Sequence, residues 1–319
     1  MRSRALSRGT TTSTAVAGPE GSRVPSAFRH DALPYAGHAE FVSLATDFLG
    51  TGLDLGEAGL LLTRPERLDD VRSALGSAAE GVRFLDMDSA GHNPALIFSV
   101  LDEFARTHPG RRVRALGEPI YDGRTPAQRA EAELHELLLN TGACRSWNMW
   151  LACPYDTEWL DERGQAQMRL AHPADGRDLE NVAAAKFADP LPPRPDGAET
   201  FPIDGADLGA IRSVLRTAAR MSGLSEERAE AFVCAVNEVV TNSIRHGRGP
   251  AEFALWSVDD SLVCEVHDSG RIRDPFAGRV APALGDTSGR GLWLVNHLCD
   301  LVQVRGPSSG TCVRMHIER

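Results

Sequence analysis

Lysine is nearly absent: Lys186 is the only one in a chain of 319 residues, and it lies in a stretch that reads as linker. A Walker A phosphate loop needs a lysine directly after its second glycine, and a eukaryotic-type protein kinase needs one on its third strand. Neither design can be built here. Cysteine is also scarce, with six residues, and Cys144 and Cys153 are too far apart for a Cys-x-x-Cys zinc or redox motif. Cys234, Cys264, Cys299 and Cys312 all fall inside apolar patterns, where free cysteine behaves as a small hydrophobe and fits a reducing, cytoplasmic setting. No cluster of His and Cys with metal-ligand spacing stands out along the chain. No apolar run approaches the length of a membrane span, so no membrane partner is expected. Positive charge is in deficit as well. The net charge of -10 disfavours nucleic acid as the general partner and suits proteins that carry basic surface.

The length predicts two folded domains. Residues 1–28 carry Arg2, Arg4, Arg8 and Arg23 among Ser, Thr and Gly, which predicts a disordered tail and no export signal. Residues 29–173 alternate strand and helix patterns. Strands are expected at 58–63, 82–87, 113–117 and 147–153, and helices at 64–76, 94–107 and 126–141. That alternation predicts a mainly parallel sheet covered by helices. Glu118, Glu131 and Asp156 are acidic residues expected to be solvated, and His135 reads as an exposed helix histidine. Residues 174–200 contain Asp189-Pro-Leu-Pro-Pro-Arg-Pro195, a semi-rigid linker composition. Residues 201–319 form the second domain.

In that second domain the chemistry-bearing residues fall into ordered patches. Ser225 is a plausible N-cap and Gly247 a helix end. Between them Ala229, Phe232, Val233, Val236, Val239, Val240 and Ile244 recur at three- and four-residue steps, one apolar stripe for a core. Glu238, Asn242 and His246, spaced i, i+4, i+8, share the opposite, open face with the small residues Ala231 and Ala235. Two strands, 253–258 and 262–267, pair through a turn at Asp259 to Ser261, and Asp268-Ser269-Gly270 follows. A carboxylate there can accept a hydrogen bond from an adenine amino group, while the glycine lets backbone pass close to a base. Gly289-Arg290-Gly291-Leu292 opens an apolar helix whose first N–H groups can cradle phosphate oxygens in place of the missing lysine. Residues 271–288, rich in Gly, Pro and Asp, read as an irregular lid over a nucleotide. A final hairpin, 301–305 and 311–317, begins its second strand with Thr311, which can hydrogen-bond a base.

These patches resemble the anti-sigma-factor serine kinases of the RsbW and SpoIIAB type, within the GHKL superfamily that includes gyrase, histidine kinases and MutL. The N-box matches at Glu238, Asn242 and His246, the first glycine box at Asp268 and Gly270, the second at Gly289, Gly291 and Leu292, and the Gly-Thr box at Gly310 and Thr311. One departure is Ile272, where the first box usually has its second glycine, which bears on the lid path and on ATP affinity. The resemblance implies a two-layer α/β sandwich that binds ATP and Mg2+, with Glu238 as general base, Asn242 as magnesium ligand and Asp268 as adenine reader. Arg290 is the candidate basic group for the phosphates. It also implies the partners, a sigma factor and an anti-anti-sigma protein of the STAS type, and leaves a homodimer open. In the first domain His30, Tyr35, Phe41 to Gly56, Gly117-Glu118-Pro119 and Cys153-Pro154-Tyr155-Asp156 resemble the MEDS sensory domain, a RecA-like three-layer α/β fold. Its Gly50-Thr-Gly-Leu-Asp-Leu-Gly56 segment has no phosphate-loop lysine. The pairing of the two domains resembles the RsbA-family regulators.

Two other functional classes compete. One is a binding module that uses ATP to shape a partner surface and transfers nothing. The other is a sensor histidine kinase, which would need a long dimerisation hairpin with an exposed histidine beside an acidic residue. His135, in the expected helix 126–141 and followed by Glu136, is the nearest thing to such a site.

Overall fold

The computed structural model describes residues 28–319 apart from 176, 204–207, 248 and 283–288. The expected tail thus lies almost wholly outside the described residues, as does the last third of the lid.

The first sheet has central strands buried on both faces, as a helix-covered parallel sheet requires. Its strands are β1 (Arg29–Tyr35), β2 (Ala58–Thr63), β3 (Val82–Asp86), β4 (Val113–Gly117) and β5 (Met149–Asp156). They run in the order β1-β5-β4-β2-β3, all parallel. Helices α1 (Gly37–Asp54) and α2 (Pro65–Leu75) cover one face, then α3 (Met87–Ala90), α4 (Pro94–Thr107), α5 (Pro126–Leu139), α6 (Glu162–Ala171) and α7 (Glu180–Ala188) follow. Strand alternation divides β2 between two cores. Leu61 packs with Phe41, Leu49 and Val71 of α1 and α2, whereas Leu60 and Leu62 pack with Phe98, Leu101 and Leu134 of α4 and α5. Each such fully buried leucine contributes about 1.5–3 kcal/mol. The helix α5 starts with a complete capping box, Thr125 and Gln128 exchanging backbone and side-chain hydrogen bonds, and Pro126 at its first position suits the helix start.

The second sheet holds β6 (Glu199–Ile203), β7 (Ala251–Val258), β8 (Ser261–Asp268), β9 (Leu301–Arg305) and β10 (Thr311–Glu318). Its order is β6-β7-β8-β10-β9, antiparallel throughout. Helices α8 (Leu208–Met221), α9 (Glu226–His246) and α10 (Arg290–Leu298) form the second layer. The chain is therefore an α/β protein, with a RecA-like parallel sheet followed by a two-layer α/β sandwich.

Several expectations change. A helix, α7, occupies 180–188 inside the proposed linker, where Glu-Asn-Val-Ala-Ala-Ala-Lys-Phe-Ala has good helix formers and no proline. Cys234 is exposed. At the end of α9 the stripe shifts: Ser243 is buried while Ile244 is exposed. Ala235 faces the core, at 0% exposure. His135 and Glu131 are buried at 1% or less because α5 is covered on nearly all sides by α4, α6, α7 and the second domain, and Glu118, just after β4, is buried at 1% against Tyr35, Thr63 and Arg67.

Candidate nucleotide site and its contact with the first domain

Helix α9 positions the first set of side chains. The Ser225 hydroxyl caps it by accepting from the Arg228 N–H at 3.2 Å. Its far end stops at Gly247, where a side chain would collide with the Ser243 carbonyl at 2.3 Å. Asn242, Ser243 and His246 line a cavity of about 390 Å³, together with Asp268, Gly270, Gly289, Gly291, Leu292 and Thr311. This cavity gathers residues from α9, the end of β8, the start of α10 and the start of β10.

Asp268 is buried and oriented from two sides. Its Oδ2 accepts from the Ser243 hydroxyl at 2.6 Å, and its Oδ1 from the Gly270 N–H at 2.7 Å. A carboxylate has about four acceptor positions, so capacity remains for an amino group in the cavity. Ser243 was missed by sequence reasoning, which assigned it to neither face. Gly310, at φ 148°, lets β10 pass β8, since a Cβ there would lie 2.0 Å from the Asp268 carbonyl. The Thr311 hydroxyl accepts from the Ile272 N–H at 3.1 Å. Ile272 itself lines the cavity, so the residue that departs from the glycine-box pattern is part of the wall.

The start of α10 meets α9 closely. Gly289 adopts the left-handed conformation at φ 82° and provides no side-chain cap. A Cβ on Gly291 would lie 3.2 Å from the Asn242 amide nitrogen and 3.3 Å from Glu238 Oε2. A methyl there would press on both side-chain tips, so glycine eases the close approach of the carboxylate, the amide and the helix start. Glu238 reaches the site only at this point and does not line the main cavity, while Arg290 is exposed and outside it.

Within the described part of the lid, 271–282, the stretch from Phe276 to Arg279 is packed, while Arg271, Arg273 and Asp274 are exposed. Phe276 meets Phe98 of α4 edge-on with ring centroids 5.2 Å apart. Gly278 accepts from Asn296 of α10 at 2.9 Å, and Asn296 in turn accepts from Asn93 at the start of α4, also at 2.9 Å. Arg279 donates to Glu131 of α5 at 2.9 Å, and its carbonyl accepts from Ser99 at 2.9 Å. Glu131 also accepts from Arg305 of β9 at 2.5 Å. Burial pulls the Arg279 guanidinium below its ordinary value, and the Glu131 carboxylate opposes that shift. Sequence reasoning had no signal for this contact, because its partners lie 148 and 174 residues apart.

Comparison with known proteins agrees with the two halves. Residues 201–317 match the model of the histidine kinase-like ATPase domain, and residues 29–173 match that of the MEDS domain, the methanogen/methylotroph, DcmR sensory domain. No curated protein matches the chain closely enough to count as a relative. Among solved structures, one similar chain holds the RsbU and RsbW domains of Rv1364c from Mycobacterium tuberculosis, at 18% identity and TM-score 0.30. The match covers 40% of this chain and 32% of that one, so the present chain spans about a third of its length. No described helix is long and apolar enough to cross a membrane. Taken with the two sheets and the cavity, the two family-model matches make residues 29–173 similar to MEDS domains and residues 201–317 similar to histidine kinase-like ATPase domains.

Proposed function

We propose that the second domain binds ATP with magnesium and transfers the γ-phosphoryl group to a serine or threonine of an anti-anti-sigma partner, and that it also binds the sigma factor which that partner would release. The observation that carries this reading is the convergence of Glu238 and Asn242 on Gly291, beside a cavity walled by Asp268. The cradle suits a triphosphate: a side chain at Gly291 would fill the space that phosphate oxygens need, and the first N–H groups of α10 open onto it. Asn242 would hold magnesium, the remaining positions going to phosphates and water. Bound magnesium supplies neutralisation of the phosphate charge.

Asp268 accepts the adenine amino group, with Thr311 and His246 completing the wall around the base and sugar. Gly270 lets backbone approach the base. Gly289, Gly291 and Leu292 present backbone donors, and the exposed Arg290 swings onto the phosphates from outside. Glu238 accepts the proton of the attacking hydroxyl, whose oxygen bonds to the γ-phosphorus as the bond to the departing ADP oxygen breaks. Such partner switching would occur in the cytoplasm, with input from the MEDS domain through the lid residues that Glu131 and Phe98 hold.

The test is incubation of the full chain with magnesium and γ-labelled ATP, with and without candidate anti-anti-sigma proteins, beside Glu238→Ala. Label on a serine or threonine of the second protein, lost in the variant while ATP binding persists, is the expected result. ATP-dependent complex formation without any label would overturn transfer in favour of a nucleotide-shaped binding module. The histidine-kinase reading loses ground because His135 is buried against Phe98 at 4.6 Å between ring centroids, out of reach of a γ-phosphate.

A further inference from the structure

Away from the nucleotide cavity, four side chains from four elements of the first domain converge on one point. They are His30 of β1, Glu136 of α5, Cys153 of β5 and His172 at the end of α6, and one ligand atom from each lies within 4.8 Å of all the others. His30 Nε2 is 3.2 Å from Cys153 Sγ and 3.0 Å from His172 Nε2. Glu136 Oε2 is 3.4 Å from His30 Nε2 and 3.1 Å from His172 Nε2. The imidazoles and the carboxylate are almost wholly buried, at 2%, 5% and 0% side-chain exposure.

The surrounding hydrogen bonds fix which way the imidazoles face. His172 Nδ1 lies 2.9 Å from the Met168 carbonyl, which can only accept, so that nitrogen carries the proton. His30 Nδ1 lies 3.3 Å from Asn140 Oδ1. The Asn140 amide nitrogen is committed to the Ala171 and Glu136 carbonyls at 2.6 and 3.0 Å, so its oxygen must be the acceptor and His30 Nδ1 must also be protonated. In their neutral forms both Nε2 lone pairs therefore point at each other and at a carboxylate oxygen. Three acceptors buried at 3.0–3.4 Å repel unless a proton or a metal ion sits among them. The second carboxylate oxygen, Glu136 Oε1, is buried with no hydrogen-bond partner.

We propose that this cluster is a binding site for a divalent transition metal of the zinc type, with His30, His172 and Glu136 and the Cys153 thiolate as its four ligands. Two imidazoles, one thiolate and one carboxylate form a donor set that zinc takes in tetrahedral geometry. Bonds of about 2.0–2.3 Å to a central ion put tetrahedral ligand atoms about 3.3–3.7 Å apart, close to the spacing seen. Coordination requires Cys153 to release its thiol proton to solvent. The Nδ1–H contacts of both histidines to oxygen acceptors, and the Tyr155 hydroxyl that donates to Glu136 Oε2 at 3.0 Å, are the orienting contacts such a site needs. Both rings also form part of the wall of a surface cleft of about 560 Å³, which gives an ion a path inward.

The test uses untagged full-length protein. Zinc content is measured after expression with added zinc and dialysis, and cobalt(II) is then used as the probe. The expected result is about one ion per chain, with a near-ultraviolet thiolate-to-cobalt charge-transfer band and the visible pattern of four-coordinate cobalt. Cys153→Ser should lose the charge-transfer band, and Cys144→Ser, which alters another buried cysteine, should keep it. Asn140→Ala, which unlocks the His30 ring, should weaken metal affinity by about 10–100-fold. A natively folded wild-type chain that takes up neither zinc nor cobalt in stoichiometric amount would overturn the proposal, as would a charge-transfer band that survives in Cys153→Ser. The wild-type measurement decides the matter even where a variant fails to fold.

Discussion

Replacing Glu131 with alanine should release the lid from the first domain. Glu131 is fully buried and holds Arg279 and Arg305, each only 4% exposed at the side chain. Removing the shared carboxylate leaves two buried guanidinium groups without a counter-charge. Breaking a buried pair of this kind costs about 3–5 kcal/mol, and here the lid can relieve part of that cost by swinging Arg279 into water. The expected first effect is thus local opening. The Ala277 amide, bonded to the Asp274 carbonyl at 3.2 Å, and the Arg279 amide, bonded to the Phe276 carbonyl at 2.9 Å, should lose protection. At about 1.4 kcal/mol per factor of ten, 3 kcal/mol predicts roughly a hundredfold faster hydrogen exchange across these amides. Amides in the centre of β8 should change far less. The triple change Glu131→Leu, Arg279→Met, Arg305→Met should restore protection, since an apolar replacement leaves no charge stranded. Unchanged lid exchange in Glu131→Ala would refute the view that this carboxylate fixes the lid.

Three further outcomes can be measured. Ser243→Ala removes one of the two donors that orient Asp268 and should cost about 1–3 kcal/mol in stability, with weaker adenine-nucleotide binding in a fluorescent-analogue titration; full affinity would show that Gly270 alone orients the carboxylate. Gly291→Ala presses a methyl against Asn242 and Glu238 at 3.2 and 3.3 Å and should weaken ATP binding while far-ultraviolet circular dichroism stays native, and unchanged binding would show that phosphates do not use this helix start. Burial, followed by the nearby Arg314, pushes His316 down to about 4, so the unfolded chain binds its proton first. The stability this histidine contributes is complete above about pH 6.5 and is lost as pH falls toward about 4, at up to about 1.4 kcal/mol per pH unit. A urea-midpoint profile over that window should flatten in His316→Gln.

The two domains differ in how openly their residues announce them. The bounds of α4, β4 and β9 match expectation because each carries an uninterrupted apolar period between clear breakers. By contrast β1, Arg-His-Asp-Ala-Leu-Pro-Tyr, alternates poorly, and α1 carries Gly50 and Gly52 in its last turns. Gly52 is explained only by the fold, since a Cβ there would strike the Arg114 side chain at 2.5 Å. The candidate nucleotide residues were legible because most stand in short motifs whose spacing is set by one helix or one turn. The His30, Glu136, Cys153 and His172 cluster was not, since its members come from four elements that only tertiary packing brings together. Burial of Glu118, Glu131 and His135 was equally hidden, because the partners that make it tolerable lie in distant segments.

The double grip of Glu131 also has a thermodynamic corollary. A ligand of the first domain that displaces this carboxylate, and so alters nucleotide affinity by some factor, must have its own affinity altered by nucleotide by the same factor. With Arg279 in the lid and Arg305 in the sheet held by one carboxylate on α5, any such coupling would run in both directions. Under the proposed function, the cell's ATP level would set how sensitively the first domain responds to its ligand, by the same factor with which that ligand alters nucleotide binding.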